Sequence, residues 1–137
     1  MELLFCDEQH RDFYHQRVGD GAYSYYCALV YLLGLTAETR ANFSKCFDEK
    51  ERMIRPDALA AGWQTGGTMR IVRMAFNLWN GWCYESEEDA QTGRVSDAYS
   101  PDNLFCCEFA RYFCEAVKLR YGCPTTMVWM IISGISV

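Results

Sequence analysis

The sequence predicts an all-α fold, a compact single-domain bundle of about five or six helices with a possible short strand or irregular C-terminal tail. Two observations predict it. Apolar residues recur at spacings of three and four in the long apolar runs ahead of the tail, and no alternating strand series with hairpin turns appears. The size of the chain agrees: 137 residues make one domain, half of them hydrophobic and 15% aromatic, which is enough for a real core. The expected division is a helical domain over residues 1–122 and an apolar tail over 123–137.

Each helix has local signals. Asp7 caps a first helix that runs to about Val18, with Glu8 in its first turn, and Gly19-Asp20-Gly21 breaks it. Residues 22–33 are apolar nearly all round, so this second helix belongs at the centre, with Gly34 at its stop. Thr36 caps a third helix that ends near Asp48, ahead of a charged surface stretch at residues 48–52. Pro56 starts a short helix to Ala61, closed by Gly62. Thr65 or Thr68 caps the next helix, which reaches Asn80 and ends at Gly81. Residues 85–98 read as an exposed acidic loop. Ser100-Pro101 opens a last helix carried by Phe105, Phe109, Tyr112, Phe113, Ala116 and Leu119, and Tyr121-Gly122 ends it. Its row of Glu108, Arg111, Glu115 and Lys118 reads as a salt-bridged exposed face. Residues 125–137 are strand-like in composition.

A net charge of −5 argues against a general electrostatic grip on nucleic acid, so direct binding to it is not expected. An acidic surface filling a partner's basic groove stays open. The eight cysteines sit largely in apolar helix-patterned runs, Cys27, Cys106, Cys107 and Cys114 among them, and the first five residues carry no signal-peptide pattern. Both points suggest buried thiols in a reducing cytoplasm rather than a disulfide framework. No run of about 18 apolar residues exists, so no membrane span is expected.

The leading candidate site lies on the Thr65/Thr68-capped helix. Arg70, Arg73, Asn77 and Asn80 recur at three, four and three, on one face of an otherwise apolar helix. Guanidinium groups in such a row can grip an anion or a partner's carboxylates, or the row can be a solvated face or a polar seam within the fold. Trp63 and Gln64, in the glycine-flanked turn ahead of the helix, join the candidate binding set. That turn lacks the Gly-Lys-Ser/Thr of a phosphate loop. Cys6 and His10 are too sparse for a zinc signature, and no metal, cofactor or catalytic residue is assigned. A cysteine nucleophile would need His10 or His15 as its base. Tyr23, Tyr26 and Trp63 could form an aromatic small-molecule pocket.

The phrases CALVYLLGLT (27–36), AAGWQTG (60–66), AFNLWNG (75–81) and FARYFCEAVKLRY (109–121) together resemble a family of small uncharacterised proteins of gut Firmicutes, a domain of unknown function often carried on mobile elements. The resemblance covers about Met1 to Tyr121 and transfers no catalytic residue. It implies an intracellular accessory role. The expected function is a small acidic interaction protein of a mobile element, with a protein partner. An inhibitor of a host defence nuclease is its special case, and a thiol-dependent enzyme, a carboxylate-based hydrolase or a small-molecule sensor are the rivals.

Overall fold

The computed structural model describes residues 3–122. Its helices are α1 (Glu8–Arg17), α2 (Ser24–Leu33), α3 (Ala37–Ala41), α4 (Phe43–Cys46), α5 (Gly66–Asn80), α6 (Glu87–Thr92), α7 (Pro101–Leu104) and α8 (Ala110–Tyr121). Two-residue strands β1 (Phe47–Asp48) and β2 (Met53–Ile54) pair antiparallel, and 3-10 turns occupy Pro56–Ala60 and Asp97–Tyr99.

The all-apolar α2 is the centre, as its composition requires. Every residue from Ala28 to Leu33 is completely buried, with α1, α5 and α8 packed around it. Facing it are Ile71, Val72 and Phe76 of α5 and Phe113 and Ala116 of α8, all without solvent contact. Each large side chain buried in this way contributes roughly 1.5–3 kcal/mol.

A close approach places α1 on the end of α2. A Cβ on Gly34 would stand 2.9 Å from Phe13 Cδ1 and 3.0 Å from His10 Cδ2, so only glycine lets the two helices meet there. The Asp7 carboxylate caps α1 by accepting the His10 N–H at 2.8 Å. Buried His10 is fixed at both ring nitrogens. Nδ1 accepts the Cys6 N–H at 3.1 Å, which leaves the proton on Nε2 to be donated to the Tyr31 carbonyl at 2.7 Å. The Tyr31 hydroxyl returns a bond to the Leu4 carbonyl, so residues 4–10 and α2 are tied in both directions.

Two expected helices are divided in the structure. The helix expected from Thr36 to Asp48 breaks at Asn42, whose Nδ2 donates to the Glu38 carbonyl at 2.8 Å in place of a regular helix. The chain then forms the β1–β2 hairpin, with Phe47 opposite Ile54. Its turn is held by Asp48 Oδ1, which accepts from the Lys50 and Glu51 amides, and by Arg52 at φ 57°. The last helix, expected to be continuous, divides into α7 and α8 across residues 105–109. The tail at residues 123–137, expected to be a short strand or irregular, lies outside the described residues.

Candidate functional site

Helix α5 is set by its first turn. Thr65 and Thr68 form a reciprocal capping box, each side chain accepting the other's amide, and Gly81 ends the helix in the left-handed region. Its apolar residues face the core, so the Arg70, Arg73, Asn77 and Asn80 stripe faces the stretch that follows the helix.

The structure closes that stripe onto residues 82–103. Arg70 donates from Nε to the Asn103 carbonyl at 2.9 Å and from Nη1 to the Gly66 carbonyl at 3.2 Å. Arg73, with a side chain only 13% exposed, grips Glu85 with Nε and Nη2 in a two-pronged ion pair. Asn77 donates to the Trp82 carbonyl and Asn80 accepts the Trp82 amide, both at 3.1 Å. The stripe is therefore a polar seam that fastens the acidic stretch to the core helix.

That stretch is not a loop throughout. Ser86 caps α6, Glu87, Glu88 and Asp89 fill its first turn where the helix dipole favours anions, and Gly93 stops it in the left-handed region. Its ends are pinned. The Ser96 amide donates to the Cys83 carbonyl at 2.9 Å, and the Tyr99 hydroxyl and the Trp82 indole both donate to the Tyr84 carbonyl. Asn103 Nδ2 donates to the Asp97 carbonyl at 2.7 Å. On this frame Glu87, Glu88, Asp97 and Asp102 stand exposed, and among the described residues none forms an ion pair. Several clefts adjoin the ridge, two of them bearing on the seam. One of about 430 Å³ contains Arg70 and Arg73; the other, about 470 Å³, is lined by Glu85, Asp89, Arg94 and Asp97.

Trp63 and Gln64 lie off the seam's line. Gln64 joins the Pro56–Ala60 turn to α5, donating to the Ala58 carbonyl at 2.8 Å and accepting the Thr68 hydroxyl at 2.7 Å. The Trp63 indole N–H is buried without a hydrogen-bond partner among the described residues. Glu85 is the residue that sequence reasoning missed as part of this arrangement. It stands twelve residues from Arg73, and no periodicity links the two.

Residues 1–129 match a family described as one of unknown function, DUF6075. The chain belongs to DUF6075. The match runs past Tyr121, where the resemblance seen in the sequence stopped. No curated protein and no solved structure matches the chain.

In this DUF6075 chain the remaining candidates are placed as follows. The seven described cysteines are free thiols, but Cys106, in the break between α7 and α8, and Cys114, on α8, are exposed rather than buried. Cys46 is fully buried, and desolvation pushes its thiol up to about 12. Burial also raises Cys6, and both nitrogens of neighbouring His10 are already engaged with backbone groups. Desolvation holds His10 below its ordinary value of 6.5. The row on α8 is not a salt-bridged exposed face: Glu115 is only 9% exposed, facing the bundle, and no pair forms among the four charged residues. Tyr23 is 75% exposed, whereas Tyr26 is buried with its hydroxyl on Glu49 at 3.1 Å. Among the described residues no three His, Cys, Asp or Glu gather as a metal site, and no helix is long and apolar enough to cross a membrane.

Proposed function

We propose that this DUF6075 chain is a non-enzymatic interaction protein whose working surface is the acidic ridge at residues 85–102, directed at a basic partner protein. The observation that carries the reading is the seam. Arg73 consumes one carboxylate, Glu85, as a fastener, while Glu87, Glu88, Asp97 and Asp102 remain outward on a pinned backbone. A ridge already ordered before contact loses less conformational freedom on binding. Its unpaired charge steers and aligns a positively charged surface. The nuclease inhibitor is the version of this reading in which the basic surface is a nucleic-acid groove. The accessory role on a mobile element is supported by the resemblance alone.

The test is a salt-dependent pull-down from a natural host lysate with two baits, the wild-type chain and the E87Q/E88Q/D97N/D102N variant. The reading expects a partner that binds the wild type at low salt, is released as salt rises, and fails to bind the neutralised variant. Equal capture by both baits, or no partner at low salt, overturns it.

A further inference from the structure

We propose that the cleft between α5 and residues 97–103 is a binding site for a small molecule bearing an oxyanion, a carboxylate or a phosphate, with Arg70 as its principal contact. The proposal does not depend on the ridge, since it uses none of the four exposed carboxylates.

Arg70 and Arg73 line one cleft of about 430 Å³, together with Gly66, Met69, Ala98 and Asn103, and no acidic side chain is part of its wall. The two guanidinium groups are unequally compensated. Glu85 occupies two donors of Arg73. Arg70 meets only neutral carbonyls, those of Asn103 and Gly66, and forms no ion pair among the described residues. One positive charge in the cleft therefore lacks a counter-charge.

Geometry adds to this. The two carbonyls hold Arg70 through Nε and Nη1, and they leave both hydrogens of Nη2 without a partner among the described residues. Arg73 likewise keeps Nη1 spare beyond its grip on Glu85. A guanidinium fixed in this way presents its fork without first losing rotamer freedom, and planar donors suit carboxylate and phosphate oxygens. Gly66, the first residue of the 15-residue α5, brings the positive end of the helix dipole to the same wall. Met69 and Ala98 supply apolar surface for the body of a ligand. The volume falls in the range of small-molecule sites, roughly 300–1,000 Å³.

The experiment titrates the whole chain with inorganic phosphate and, separately, with citrate, using sodium chloride at matched ionic strength as reference. Calorimetry and thermal shift are the readouts. Saturable binding of phosphate or citrate is expected, with at least a tenfold weaker affinity in R70Q. E85Q, which removes the carboxylate charge that competes for Arg73, binds more tightly than wild type. R11Q, on the exposed face of α1, binds like wild type. The stronger probe identifies the anion class. Should R70Q not fold, the Arg70 Nε–H resonance of the wild type supplies the measurement, and it shifts on titration. No saturable binding by either probe, wild-type affinity in R70Q, or an unmoved Arg70 resonance overturns the proposal.

Discussion

Acidification from about pH 7.5 to about pH 5.5 tests the burial of His10. Its ring is excluded from solvent, with Nδ1 accepting the Cys6 amide and Nε2 donating to the Tyr31 carbonyl. A second proton would have to go on Nδ1, where it would face an N–H instead of an acceptor. Desolvation works in the same direction and outweighs the Tyr31 carbonyl and the nearby Asp7 charge, which both favour the charged ring, so the folded state holds His10 below its ordinary 6.5. The unfolded chain therefore binds this proton first as the pH falls. Stability from His10 is complete above about pH 6.5 and declines below it, with a limiting slope near 1.4 kcal/mol per pH unit. Across the stated interval the loss reaches up to about 1.4 kcal/mol, which is large for a domain of this size. Urea denaturation at several pH values measures it, with H10Q as the comparison. All other residues are common to the two proteins, so the difference between their pH profiles isolates residue 10. H10Q is less stable throughout but flatter with pH. Parallel curves for the two proteins would refute the assignment of a neutral, desolvated His10.

Three further outcomes are expected. G34A drives a methyl into Phe13 and His10 at 2.9–3.0 Å and destabilises the chain by about 1–3 kcal/mol, measured by thermal or urea unfolding. Among the described cysteines, thiol labelling of the native chain modifies Cys106 and Cys114 first and leaves Cys46 unmodified until denaturant is added, resolved by peptide mass mapping. R73A removes an ion pair whose Glu85 side is 37% exposed, so the global cost is only about 1 kcal/mol, while amide exchange accelerates across residues 82–103 and not in α2.

What was legible in the sequence was what depends on neighbours along the chain. Asp7, Thr65 and Gly81 mark helix ends by local hydrogen bonding and backbone freedom, and α5 was delimited almost to the residue. The central place of α2 followed from its lack of a polar face. The short helix α6 had its own signals, Ser86 ahead of three acids and Gly93 behind, but the density of charge overrode them. Other features depend on partners distant in sequence. The β1–β2 turn places Arg52, a non-glycine residue, at positive φ, and its guanidinium lies 4.4 Å from the centre of the Tyr26 ring. No turn rule anticipates that. The break at residues 105–109 contains neither glycine nor proline. The stripe on α5 was visible as a stripe, but what covers it is set by Glu85, Trp82 and Asn103, which only the fold brings there.

The burial of α2 on every side from Ala28 to Leu33 has a consequence for synthesis. Its apolar surface is completed by α8, which begins about 80 residues later in the chain. At roughly 5–20 residues per second, some 4–16 s separate the translation of the two helices. During that interval the flank of α2 that α8 covers has no final partner, and this apolar surface leaves the nascent chain vulnerable to aggregation until α8 is made.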